Sequence, residues 1–309
     1  MKDRINSFVI CNGRNILNRI DWHYSGAKKY KLFFHYVDTV LSSDYKVCDN
    51  IFKNRYVKVQ NQRIPFRFWI MWWQGMAEAP SLVKKNIKLI QELFGKNNVT
   101  IITKDNYKKY TSISHVLYKK VEAKTISLTM WSDIVRFNIL NNYGGYWIDS
   151  TVALTTKFKE YFMELPSQPF FSICNKNGNY QNITLSRWTL WFIGGIPHLN
   201  LFEYLNNFYN SYFLKHNINV DYFLTDDAIN HYYHKYPDLK KYCDQLKRDW
   251  QPYYLMNHFH DQFTLDMANK VNDQLKYSIQ KLTYKFSDSE VKKDTVAWDI
   301  LCLDSHFFR

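Results

Sequence analysis

A chain of 309 residues with 46% hydrophobic and 18% aromatic content can bury one large core or two modest ones, which excludes a disordered protein. Its formal net charge of +13 points to an anionic partner: nucleic acid, an anionic membrane face or a phosphorylated small molecule. Nucleic acid is the least supported of these, because the lysines are spread over helices (Lys84, Lys85, Lys88 and Lys119, Lys120, Lys124) and no helix-turn-helix, zinc-finger or RNP-type pattern is present.

The five cysteines, Cys11, Cys48, Cys174, Cys243 and Cys302, lie far apart with no CxxC pair or Cys/His ligand spacing. They read as reduced thiols of a cytosolic protein and not as a zinc site. The opening MKDRINSFVICNGRN carries no long apolar segment, and no run reaches about 18 apolar residues, so neither a signal peptide nor a membrane span is expected. The expected location is the cytoplasm, in solution or against an anionic membrane face.

Residues 1–60, with segments such as KKYKLFFHYVDTVL, read as a helical N-terminal extension; 61–286 read as the main domain and 287–309 as a polar tail. Within the main domain, IPFRFWIMWWQG is an apolar strand closed by a polar turn. Pro80 in the first turn and Gly95 at the stop bracket a helix through Phe94, and VTIIT (99–103) is the next strand. Strand, helix and strand with a short return imply a right-handed crossover and a parallel sheet. In the following loop, TKDNYKKY, a solvated turn is the plainer role for Asp105 and Asn106. A helix over 114–123 leads to the central stretch.

That stretch, 128–152, reads LTMWSDIVRFNILNNYGGYWIDSTV. Met130, Ile134, Phe137 and Leu140 mark a buried helical stripe, while Asp133 and Arg136, three apart, can act on one ligand. Gly144-Gly145 stops the helix, Tyr146-Trp147-Ile148 is a short apolar strand, and Asp149 stands at its end. In α/β proteins ligands gather at the carboxyl edge of the strands. The bland alternative is a surface Asp-Arg pair before a strand-end turn.

Downstream, PFFSIC (169–174) and RWTLWFIG (187–194) read as strands, with a helix from Pro197 through Phe208. Asp226 and Asp227 open an amphipathic helix, where a helix cap is the ordinary role for one of them. His258, His260 and Asp261 lack evident third and fourth ligands, so satisfied loop histidines are expected.

The run SDIVRFNILNNYGGYWIDST resembles the core of the capsular polysaccharide synthesis proteins. It is also similar to glycosyltransferases with an S-D-x-x-R helix, a Y-G-G turn and a D-x-D strand end: family 32, the yeast mannosyltransferase-like enzymes and the glucosylating clostridial toxins. The resemblance implies a GT-A-like α/β fold, a Rossmann-type mixed sheet flanked by helices. It implies a nucleotide-sugar donor, of UDP type, a divalent cation (Mn²⁺ or Mg²⁺), and a polysaccharide or lipid-linked oligosaccharide acceptor. Asp149 and Thr151 would hold the cation, although Thr151 replaces the second aspartate and makes a poorer hard-cation site. Donor binding falls to Trp73, stacking on the base, with Asp133, Arg136, Tyr146 and Lys281. Asp149, Asp133, Arg136 and Asp226 form the catalytic set, Asp226 near the sugar or acceptor.

In IQKLTYK (279–285), Gln280 stands where relatives often carry histidine, while Lys281 is placed to neutralise a diphosphate oxygen. The segment around Ser186, Arg187 and Trp188 resembles the region facing the transferred sugar, with Trp188 either a sugar platform or core. From the resemblance, retention of anomeric configuration is expected, with no residue nominated as a covalent nucleophile. The competing reading is a degenerate, non-catalytic carbohydrate-binding protein of the same fold.

Overall fold

The computed structural model describes residues 2–20, 26–53, 55–57, 62–175, 178–286, 291–302 and 305–308. Parts of the expected extension (1, 21–25, 54, 58–60) and of the expected tail (287–290, 303, 304, 309) lie outside the described residues.

Among the described residues run seven strands: β1 (Phe68–Met71), β2 (Val99–Ile102), β3 (Gly145–Ile148), β4 (Val152–Leu154), β5 (Phe170–Ser172), β6 (Phe192–Gly195) and β7 (Ile279–Lys281). Five form the main sheet in the order β2-β1-β3-β6-β5. β1 lies parallel to both β2 and β3, while β6 runs antiparallel between β3 and β5. The sheet is therefore mixed. Strands β4 and β7 pair antiparallel as a separate ribbon, with Val152 opposite Lys281.

Helices α1 (Lys2–Ile20) and α2 (Gly26–Phe52) precede the sheet, and α3 (Ser81–Phe94) links β1 to β2. Next come α4 (His115–Glu122) and α5 (Leu128–Tyr143), then α6 (Thr156–Met163), α7 (Asn200–Lys215), α8 (Leu224–Lys235) and α9 (Pro237–Asp244). The C-terminal part carries α10 (Tyr254–Asn257), α11 (Leu265–Asp273) and α12 (Val296–Leu301). The expected α/β architecture, a mixed sheet flanked by helices, is thus present.

Helix α5 is buried all round, between β3 and α7, which is why its polar residues are enclosed along with its apolar ones. Ser127 caps its first turn by accepting from Met130 N, and Gly144 ends it at φ +63°. Gly145 follows at φ +96°, where a Cβ would stand 2.6 Å from Arg67 O. The double glycine is required both by the left-handed backbone and by the close approach to the chain entering β1.

Two expectations are corrected here. The strand read over 187–194 is only Phe192–Gly195, because in the loop 187–191 Thr189 O accepts from Ser172 Oγ and Trp191 O from Asp149 N, while the Arg187 side chain turns back to Ile183 O and Thr184 O. The helix expected from Pro197 begins at Asn200, after a left-handed bend at His198 (φ 55°).

Helix α2 presents Tyr30, Phe33, Val37, Leu41, Tyr45, Cys48 and Phe52 at three- and four-residue spacing, a buried stripe seated on α7 and α8. All but Tyr30 belong to the main hydrophobic core. A second core joins Leu82 and Ala153 to Leu255, Val271, Val296, Ile300 and Phe307, closing the C-terminal helices over α3 and β4. Among the described residues no helix is long and apolar enough to cross a membrane.

Candidate active site

Because β1, β2 and β3 are parallel, the chain leaves all three at one edge of the sheet, and Asp149 emerges there. Its amide donates to Trp191 O (2.8 Å), so the loop entering β6 is held against it. Asp149 Oδ1 accepts from Arg136 Nη2 (3.2 Å) and from the indole of Trp147 (3.0 Å). Asp149 Oδ2 accepts from Lys281 Nζ (2.8 Å), which also donates to Thr151 Oγ1 (2.7 Å).

The network continues into α5 and α8. Arg136 Nη1 donates to Asp133 Oδ1, and its guanidinium lies 4.9 Å from the centre of the Trp147 ring. Asp133 Oδ2 accepts from Thr225 Oγ1 (2.7 Å), itself 2.9 Å from the Tyr209 hydroxyl. Arg136 Nε is buried without a partner in the protein. Thr225 had no mark in the sequence beyond its place beside two aspartates.

Burial alone would raise the pKa of Asp149, but Lys281 and Arg136 outweigh it and hold the carboxyl at about 2. Asp133 moves the other way: burial raises it, with Arg136 only partly opposing. Asp226, 9% exposed, accepts from Trp188 Nε1 (2.9 Å) and is pushed up to about 7, chiefly by burial. It makes no helix-capping hydrogen bond, since α8 begins at Leu224 and no side chain caps it.

Asp133, Arg136, Asp149 and Asp226 open onto one cavity of about 520 Å³. Its far wall is uncharged and polar, from Asn175, Asn179, Asn182, Thr184 and Ser186, with Trp191, Tyr222 and Tyr253 as aromatic faces. Arg187 builds that wall: its guanidinium donates to Ile183 O (2.9 Å), Thr184 O (2.8 Å) and Asn230 Oδ1 (2.7 Å), tying the loop to α8. Leu185 and Ser186 sit at φ 47° and 56°, a left-handed pair costing roughly 1–3 kcal/mol each and held in place by this clamp.

Not every expected residue reaches the cavity: Lys281 and Thr151 adjoin Asp149 but are not part of the lining. Trp73 is half-buried just past β1, its ring against Tyr107 (5.2 Å) and Trp131 (6.0 Å), outside the cavity lining. Tyr146 points into the core, with Phe162 at 4.7 Å and Phe68 at 5.5 Å. Trp188 lines the cavity yet is 2% exposed, so it holds Asp226 and offers no open platform. Asn106 closes its own turn through Thr103 N and Ile101 O, and Asp105 is exposed. His258 pairs with Asp261 at the surface (2.6 Å).

A divalent cation bridging Asp149 and Thr151 would need the position that Lys281 Nζ fills. Hard cations take six or more oxygen ligands, usually with several carboxylates or with phosphate oxygens. Here one carboxylate is present, both its oxygens are in ion pairs, and the threonine hydroxyl is engaged. Among the described residues no group of three or more His, Cys, Asp or Glu is placed to hold a metal. The donor set as arranged does not fit the ion.

The fold and site define an α/β protein with a buried charge network at the carboxyl edge of a mixed sheet, facing a polar and aromatic cavity. Residues 18–300 match the family described as capsular polysaccharide synthesis protein, and the chain belongs to that family. No curated protein and no solved structure matches it. Membership ties the chain to the making of surface glycans.

Proposed function

We propose that the chain is a GT-A-type glycosyltransferase that moves a sugar from a nucleotide-sugar donor, of UDP type, to a growing surface polysaccharide, with retention. The observation carrying this reading is the Asp133–Arg136–Asp149 network, with Lys281 on the second oxygen of Asp149, opening through its first three members on a cavity walled by amides, hydroxyls and aromatic faces. Amide and hydroxyl groups suit sugar hydroxyls, and aromatic faces suit their apolar C–H surfaces. A diphosphate leaving group needs positive charge rather than a strong acid, and Arg136 and Lys281 supply it. Asp133 and Asp226 would accept from, or donate to, hydroxyls of sugar and acceptor.

The test is a screen of UDP- and GDP-sugars with the purified protein, reading released nucleoside diphosphate. Consumption of one donor identifies the class and the sugar. The competing reading, a non-catalytic glycan-binding protein, is favoured by Thr151 in place of a second acid. Asp149→Asn separates the two. In an enzyme it lowers turnover by about 100-fold or more with the fold intact, since Lys281 and Arg136 lose the anion that sets them. A binder shows no turnover to lose.

Peripheral contact with an anionic membrane is part of the proposal. On α1, Ile5, Phe8, Val9 and Ile16 share one outward face and are exposed, Phe8 by 70%, with Lys2, Arg4 and Arg19 exposed beside them. Such a face suits a lipid-linked acceptor presented at that surface.

A further inference from the structure

We infer that the Lys281 ammonium replaces the divalent cation at this site, so that a nucleoside diphosphate is bound and its leaving charge neutralised without a metal ion. The inference rests on the transferase reading above. Three observations carry it.

The first is position: Lys281 Nζ stands 2.8 Å from Asp149 Oδ2 and 2.7 Å from Thr151 Oγ1, bridging the two oxygens a cation would bridge. The second is that this position is built. Lys281 N donates to Pro252 O (2.7 Å), and β7 is zipped to β4 with Lys281 opposite Val152. The neighbouring Gln280 is buried and locked, accepting from Leu255 N (2.9 Å) and donating to Gln251 O (2.9 Å) and Tyr277 O (2.8 Å). Alternation along the strand turns residue 280 away from the face that carries Lys281, so position 280 supplies no ligand at Asp149.

The third is availability. An ammonium has three N–H donors. Two are committed to Asp149 and Thr151, and with the side chain 21% exposed the remaining one can meet a ligand oxygen. A divalent ion added beside this ammonium and the Arg136 guanidinium would face two like charges at short range.

In the transfer, the bond from the anomeric carbon to the diphosphate oxygen breaks, its electron pair going to that oxygen. An acceptor hydroxyl oxygen bonds to the anomeric carbon, and its proton passes to the departing diphosphate. Lys281 and Arg136 hydrogen-bond the oxygens that gain charge.

The test is calorimetric titration of the full chain with UDP and with GDP, in EDTA and in excess Mn²⁺. One nucleotide is expected to bind in EDTA within about threefold of its affinity in Mn²⁺, and Lys281→Ala to weaken that EDTA binding by about tenfold or more. Wild-type binding that collapses in EDTA and returns with Mn²⁺ overturns the inference while leaving the transferase reading standing. Unchanged EDTA affinity in a folded Lys281→Ala variant also overturns it. If neither nucleotide binds under either condition, the transferase reading itself falls, and the inference with it.

Discussion

Asp149 and Asp226 border the same cavity, yet their surroundings drive them to opposite protonation behaviour. Asp149 sits between two cations and stays ionised, held at about 2; Asp226 has an indole N–H as its hydrogen-bond partner and rises to about 7. Their effects on stability therefore have opposite signs. Asp149 stabilises the fold progressively as pH rises through roughly 2 to 4 and keeps doing so above that. Between its ordinary value of 3.8 and about 7, folded Asp226 keeps a proton that the unfolded chain releases, so its contribution to stability falls as pH rises. Asp226→Asn should remove that slope: the variant unfolds like the parent near pH 4 and is more stable near pH 8, by on the order of 2–4 kcal/mol. Denaturant titrations at the two pH values check this; equal stability of the two proteins at pH 8 would mean Asp226 is not raised. The amide keeps an acceptor for Trp188, so packing is preserved.

At the scale of elements, the cavity has one rigid wall and one clamped one. Helix α5 and β3 are set by local chemistry: a Ser127 cap, a double-glycine stop and an apolar strand between two neighbours. The opposite wall, residues 178–191, belongs to no strand ladder; turn hydrogen bonds hold it locally, and the three hydrogen bonds of the Arg187 side chain tie it to α8. Arg187→Ala should cost roughly 2–3 kcal/mol of stability, since buried bonds from a charged donor are lost at once. On the proposed transferase reading it should raise KM for the acceptor more than it lowers kcat, because the wall loosens while the network at Asp149 is untouched. Urea unfolding and steady-state kinetics read the two effects separately. In the sequence this wall showed through the resemblance around Ser186, Arg187 and Trp188, and the first part of the strand expected over 187–194 is a loop in which Arg187 bonds the carbonyls of the turn before it.

Over the whole molecule, the buried stripe of α2 joins the main core, while α1 contributes Ile10 to that core, packs Leu17 against it and leaves Ile5, Phe8, Val9 and Ile16 exposed. Its inner face is fastened by Ile10 in the core and by charge, through Arg14 to Asp221 and Asp3 to His216 (2.7 Å). A helix that keeps four further apolar residues exposed on one face, beside basic ones, is expected to find a second apolar phase. Phe8→Asp with Ile16→Asp should abolish co-flotation with phosphatidylglycerol vesicles and leave turnover of a soluble donor unchanged. Equal flotation of the double variant and the parent would remove the membrane role from α1.

The sequence by itself determined the elements whose signals are local: the α5 stripe, the double-glycine stop, the first two parallel strands with their linking helix, and Asp149 at a strand end. Periodicity, capping and glycine φ freedom act within a few residues, so they are legible there. Tertiary structure alone decided which face of β3 meets the site. That strand is buried on both sides and shows no alternation, so nothing local sent Tyr146 into the core and Trp147 toward Asp149. It also decided that Lys281, 132 residues further along the chain, lies on Asp149, and that Asp226 faces a cavity instead of capping its helix. Those outcomes depend on how distant strands and helices pack, and the energies that choose among packings reside in contacts no short stretch of sequence contains.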